Sequence, residues 1–150
     1  MAVNIVPMEE RHICALAELE RLCFSLPWSE NSLRQELYES AAHFLVAENE
    51  NETLGYIGGI ETDGCYITNV AVFPSFRGQG TGTLLLQSLE QGAKKRGCEF
   101  ITLEVRKSNA DAVRLYSRLG YNIAGERKNF YSEPVENGII MTKLLIKDEK

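Results

Sequence analysis

Apolar residues recur along this chain with two different periods, and the switches between them predict its elements. Residues 4–6 read as a short first strand. Across residues 9–23, Ile13, Leu16, Ala17, Leu19 and Cys23 return at helical spacing, which predicts an amphipathic helix. Pro27 interrupts it, and Ser29 is placed to cap a second helix to about residue 38, with Leu33 and Leu37 facing inward. Three strands are predicted next, over residues 43–48, 54–61 and 65–73. The links between them, Asn49-Glu50-Asn51-Glu52 and Asp63-Gly64, are short and polar, so the three form an antiparallel meander. Gly55, Gly58 and Gly59 weaken the middle strand and mark a candidate bulge.

Beyond Pro74 and a glycine-rich turn, Gly82, Leu85, Leu86, Leu89 and Ala93 fall on one helical face. Lys94, Lys95 and Arg96, followed by Gly97, end that helix as its dipole prefers. Phe100, Ile101, Leu103 and Val105 predict another strand. Ser108 or Asn109 caps a short helix with Ala112, Leu115, Tyr116 and Leu119 on one face, stopped by Gly120. Two last strands are expected over residues 121–126 and 139–146. The order is strand, two helices, three strands, helix, strand, helix, two strands. It predicts a single mixed α/β domain over residues 1–150, neither a doubly wound parallel sheet nor a barrel.

Composition changes this picture little. At 150 residues the chain suits one core, and its net charge of -5 argues against a nucleic-acid partner held by general basicity. Residues 1–10 lack the pattern of a signal peptide, and no run nears the roughly 18 apolar residues of a membrane helix. Cys14, Cys23, Cys65 and Cys98 are scattered, with no C-x-x-C pair and no histidine at metal-ligand spacing. Reduced structural thiols, a cytoplasmic setting and no metal are expected. His12, in a helix surface pattern, and His43, at a strand start, read as structural.

The candidate chemistry begins at the turn Arg77-Gly78-Gln79-Gly80-Thr81-Gly82. Glycines leading straight into a helix let backbone N–H groups approach a polyanion at the positive end of the helix dipole. Arg77 adds a charge that can pair with phosphate. The bland alternative is a flexible loop with a glycine cap. A Walker site is excluded because the turn has no lysine. A dinucleotide fingerprint is weakened by Thr83, where a third glycine is needed, and by the antiparallel strands upstream, although Glu104 lies about 20 residues downstream.

Val70-Ala71-Val72 followed by this turn resembles the signature of the Gcn5-related N-acetyltransferase (GNAT) family: a strand, Q/R-x-x-G-x-G/A, then a helix. The element order is similar along nearly the whole chain. The resemblance implies the GNAT fold, a central, mostly antiparallel mixed sheet of about seven strands flanked by four helices. It implies acetyl-CoA as cosubstrate, with Val70, Ala71 and Val72 meeting the pantetheine arm through backbone where the strand splays from its neighbour. Arg77, Gly78, Gln79, Gly80, Thr81, Gly82 and Thr83 would hold the pyrophosphate, and Asn109 would hydrogen-bond the cofactor or else serve only as an N-cap.

Further matches, at Leu103-Glu104-Val105-Arg106, Ser108-Asn109, Leu115-Tyr116, Pro27-Trp28-Ser29 and Arg127-Lys128-Asn129-Phe130-Tyr131, resemble a bacterial subgroup of the family. Its members acetylate the N-terminal alanine of a small-subunit ribosomal protein. Phe130 departs from the tyrosine common there, which bears on substrate detail. By pattern alone Glu104 is a strand residue facing away from Leu103 and Val105, and Tyr116 a core aromatic. By the resemblance Glu104 is the general base and Tyr116 the general acid. Trp28 and Tyr131 are candidates for the peptide groove, against a core-anchor role for the tryptophan. The expected partner is the N-terminus of a protein, with neither nucleic acid nor membrane. A GNAT enzyme acting on a small amine or lysine side chain, or a module that only binds acyl-CoA, are the competing functions.

Overall fold

The computed structural model describes residues 2–50 and 52–145. Met1, Asn51 of the first expected turn and Ile146 at the end of the last expected strand lie outside them. The elements run β1 (Asn4–Pro7), α1 (Ile13–Cys23), α2 (Glu30–Glu36), β2 (Ala42–Glu48), β3 (Thr53–Glu61), β4 (Cys65–Val72), α3 (Thr81–Lys95), β5 (Phe100–Arg106), α4 (Ala110–Arg118), β6 (Asn122–Tyr131) and β7 (Glu136–Leu144). This is the order that the hydrophobic pattern predicts.

The strands form one seven-stranded sheet in the order β1-β2-β3-β4-β5-β7-β6. Among the described residues only β4 and β5 pair in parallel; the connection between them runs through α3. Helices cover both faces. On one, Leu85, Leu86, Leu89 and Ala93 of α3 pack with Ile57, Ile101, Leu103, Val105 and Met141, and α4 lies half-buried against this cluster. On the other, Ile13, Leu16, Ala17 and Leu19 of α1 and Leu33 of α2 pack on Phe44, Val46, Tyr56 and Ala71. Each fully buried Leu or Ile contributes on the order of 1.5–3 kcal/mol, so both layers hold the sheet.

Local chemistry sets the helix ends. Ser29 caps α2, its hydroxyl accepting from the Ser32 N–H at 3.1 Å. Residues 10–12 form a single 3-10 turn before α1, so the helix starts later than its apolar pattern suggests. Within that turn the Glu9 N–H donates to His12 Nδ1 at 2.9 Å, and His12 Nε2 lies 2.8 Å from Glu48 Oε1. His12 is therefore buried, at 1% exposure, and not on the helix surface as its spacing suggested. Arg96, just past the end of α3, makes a two-point ion pair with Glu61. All four cysteines are free; Cys65 and Cys98 are buried, Cys23 is half-buried and Cys14 is exposed. Among the described residues no helix is long and apolar enough to cross a membrane.

The expected bulge falls at the predicted glycines, with its extra residue on the partner strand. Gly58 pairs with Asn69 and Gly59 with Ile67, leaving Thr68 of β4 without an opposite residue. One inserted residue exchanges the faces of everything after it. Cys65 and Ile67 pack toward α3, and past the bulge Val70 and Val72 do so, which turns Ala71 toward α1. The approach of β3 to β4 is also close at Gly55, where a Cβ would lie 2.6 Å from the Ala71 carbonyl oxygen. Gly55→Ala is expected to lower stability by about 1–3 kcal/mol in urea denaturation, because backbone has to move.

The last hairpin is longer than expected, and β7 begins at Glu136, three residues early. β6 continues from Glu126 through Tyr131, past the polar stretch Arg127-Lys128-Asn129. Asn129 adopts φ +53°, and its N–H donates to Asn137 Oδ1 of β7 at 2.9 Å. Cross-strand bonding, not alternation, carries the strand there.

Candidate active site

The parallel strands β4 and β5 pair only at Cys65–Ile101 and Tyr66–Thr102. Beyond those pairs they diverge, and the gap opens into a cleft of about 720 Å³ between the α1–α2 connection and the β6–β7 hairpin. A second cleft of about 490 Å³ runs along Val70, Ala71 and Val72 to the glycine turn. Cys23, Phe24, Val70 and Tyr116 line both.

At the turn, Gly78 has φ +79° and Gly80 φ +83°, values that side chains with a Cβ rarely adopt. Gly80 is the N-cap of α3 and has no capping side chain. The first N–H groups of the helix therefore lack intrahelical acceptors at the positive end of its dipole. Gly78, Gly80, Thr81, Gly82 and Thr83 all line the second cleft, and nothing lies within 4 Å of a Cβ built on Gly78 or Gly80. Such a cradle suits a pyrophosphate. Gln79 is exposed and is not part of the cleft wall. Arg77 lines the cleft, but its guanidinium is engaged by protein: Nε donates to the Val72 carbonyl at 2.9 Å and Nη2 to Cys23 Sγ at 3.1 Å. It fastens the end of β4 to the end of α1.

The structure brings Glu104 and Tyr116 to the larger cleft from opposite layers. In β5 burial alternates, Leu103 and Val105 packing toward α3, so Glu104 faces the α1 side. Burial raises its carboxyl pKa above the ordinary value, opposed by the charge of Arg127. Arg127 Nε stands 3.3 Å from Glu104 Oε2, an ion pair without hydrogen-bond alignment. Tyr116 packs edge-on against Tyr121, with centroids 5.8 Å apart. Burial raises its phenol pKa too. A carboxyl tuned upward suits proton removal, and a phenol held protonated suits donation.

The remaining candidates line the same cleft. Asn109 is the N-cap of α4, its Oδ1 accepting from the Ala112 N–H at 3.1 Å. Trp28 is half-buried, its ring tilted on Phe44 at 6.1 Å, so it is both a core anchor and a cleft wall. Tyr131 stacks under the Arg106 guanidinium at 4.6 Å from its centroid. Its phenol is pushed up to about 12, first by burial and then by Glu104. Arg106 also donates to the carbonyls of Ser132 and Pro134, which pins the hairpin rim.

Two polar residues of the site, Glu20 and Asn69, escape a reading of the sequence, as does the buried Tyr56 that joins them. Glu20, 2% exposed, accepts from the Trp28 N–H at 2.9 Å and from the Tyr56 hydroxyl at 2.6 Å. Asn69, 5% exposed, donates to the Tyr56 oxygen at 2.9 Å. The one signal present is Glu20 lying four residues after Leu16, inside the apolar face of its helix.

Residues 13–121 match the acetyltransferase (GNAT) family model. A Bacillus subtilis protein provisionally named a [ribosomal protein bS18]-alanine N-acetyltransferase is 39% identical over 126 residues, 83% of each chain. The solved ribosomal-protein-S18-alanine N-acetyltransferase of Escherichia coli superposes with a TM-score of 0.88 at 29% identity, covering 99% of this chain and 98% of that one. Arabidopsis thaliana NAA60, solved with acetyl-CoA, shares the fold at a TM-score of 0.85 and 14% identity, over 95% and 98% of the two chains. The family's enzymes use acetyl-CoA, and this chain belongs to it: it is a GNAT acetyltransferase.

Proposed function

We propose that this enzyme acetylates the N-terminal α-amine of a protein, with the N-terminal alanine of ribosomal protein bS18 as its substrate. The observation that carries this reading is Tyr116, which lines both the cleft of the glycine turn and the cleft that holds Glu104. Acetyl-CoA, seated along β4 with its pyrophosphate at the turn, supplies the acetyl thioester. The other cleft is open between the α1–α2 connection and the hairpin, wide enough for an extended chain end. Relatives that act on the alanine of ribosomal protein bS18 support this substrate, and a ribosomal substrate is consistent with a cytoplasmic setting.

The residues divide the proton traffic. A new N–C bond forms as the C–S bond of the thioester breaks. Glu104 takes the proton that the amine must lose, directly or through a water. Tyr116 donates to the departing sulfur. Backbone N–H groups of Gly80 to Thr83 orient the donor and take no part in proton movement.

The test is a mass-spectrometric comparison with purified enzyme, acetyl-CoA and three acceptors. These are a bS18 N-terminal peptide, the same peptide blocked at its α-amine but carrying lysine, and spermidine. Acetylation confined to the free α-amine is the expected result. Modification of lysine or spermidine without the α-amine overturns the reading.

A further inference from the structure

Among the described side chains, two buried oxygen atoms have no hydrogen-bond donor: Glu104 Oε2 and Asn69 Oδ1. Both residues line the same cleft. Buried acceptors in folded proteins are nearly always satisfied, so two such atoms at one opening require an explanation. Glu104 is accounted for by its part in proton removal. Asn69 is not.

The orientation of Asn69 is fixed by its neighbours. Its Nδ2 donates to Tyr56 Oη at 2.9 Å and faces Glu20 Oε2 at 3.4 Å, while Tyr56 donates to that same carboxylate oxygen. A flipped amide would set Oδ1 against the carboxylate, leaving two acceptors face to face. Oδ1 is thus held as the free acceptor. Glu20 receives donors at both oxygens, and no Lys, Arg or His among the described residues pairs with it. An acceptor backed by an unpaired carboxylate selects a cationic N–H donor. The Thr68 bulge puts Asn69 on the same side of the sheet as Ala71 and Tyr56, the side that Glu104 faces.

We infer that Asn69 is the specificity-determining acceptor for the substrate's amine, receiving one N–H while Glu104 takes the proton from another. Once the amine is neutral, its Cα bond and its two N–H bonds, one to Asn69 and one to Glu104, leave its lone pair a single direction in which to point. Glu104 takes its N–H proton as the N–C bond forms. Glu20 and Tyr56 are positioning residues that lock the amide. This inference rests on the α-amine reading proposed above and adds to it the group that recognises the amine.

The test compares the wild type with Asn69→Leu, which keeps the volume and removes the acceptor. Calorimetry at pH 7 in the presence of CoA measures binding of an alanine-initiated peptide and of its propionyl analogue, in which hydrogen replaces the α-amine. The alanine peptide is expected to bind Asn69→Leu about 10- to 100-fold more weakly, the worth of one charge-assisted hydrogen bond. The propionyl peptide is expected to bind both proteins alike. Equal losses for the two peptides, or no loss for either, overturn the inference, the first because Asn69 then only shapes the groove. Should Asn69→Leu not fold, Asn69→Ala serves in the same comparison. If the wild type acetylates no peptide α-amine, the function proposed above falls and this inference with it. An active wild type and an unaffected variant sink this inference alone.

Discussion

Glu104→Gln is expected to lower kcat/KM for the peptide by about 10²- to 10⁴-fold, the range for loss of a positioned general base. The substitution keeps the shape of the side chain and removes its capacity to accept the amine's proton. Its effect on pH dependence is more diagnostic than its size. Burial sets the folded pKa of Glu104 above the ordinary carboxyl value, so wild-type activity falls as pH drops through that raised value. In Glu104→Gln this limb is absent, and the remaining dependence follows the amine itself, near pH 7.7–8.0 for an ordinary α-amine. Arg127→Ala removes the opposing charge and moves the wild-type limb to higher pH.

The same shift carries a stability sign that separates catalysis from folding. A carboxyl with a raised folded pKa binds its proton more tightly in the native state. Its ionisation therefore costs stability as pH rises from the unfolded value through the folded one. Glutamine carries no such penalty. Glu104→Gln is expected to melt no lower than the wild type at pH 7, so an inactive but less stable variant would speak against the assignment.

Much of this site is legible in the amino-acid pattern alone. The period-2 alternation of β5 turns Glu104 away from Leu103 and Val105, and the folded strand keeps it there. The glycines of β3 mark the bulge, and Gly78 and Gly80 mark a turn that only they adopt easily. What stays hidden is side-chain partnership. Arg77 reads as a free charge because no local pattern shows a guanidinium folding back onto the Val72 carbonyl. His12 looks exposed because its partner, Glu48, is 36 residues away. Asn69 escapes notice because the extra residue at Thr68 reverses the faces of β4, and one strand's alternation cannot reveal a bulge that its neighbour defines. Patterns within an element are local; the polar network of Glu20, Tyr56 and Asn69 joins three elements.

Tyr116→Phe is expected to lower kcat by about 10²- to 10³-fold, within the range for a lost general acid, while leaving acetyl-CoA affinity within a few fold. In the proposed mechanism its hydroxyl would touch the reaction only as charge builds on the departing sulfur. The edge-on contact with Tyr121 survives in phenylalanine, so the fold is retained. Burial refines the chemistry expected of this phenol. An ordinary thiol titrates near 8.5 and an ordinary phenol near 10, and burial lifts the phenol further. Full transfer of its proton to a free thiolate is then uphill, by about 1.4 kcal/mol for each unit of difference. In the proposed mechanism Tyr116 would therefore act while the C–S bond is still breaking, with solvent completing the protonation. Two results follow. Above the limbs set by Glu104 and the amine, wild-type kcat is expected to show no further fall up to about pH 10, because the phenol keeps its proton. In Tyr116→Phe the loss is read in kcat during steady-state assays with saturating acetyl-CoA, and KM for the peptide changes little. A variant that keeps wild-type kcat removes Tyr116 from the chemistry and leaves it a wall of the two clefts.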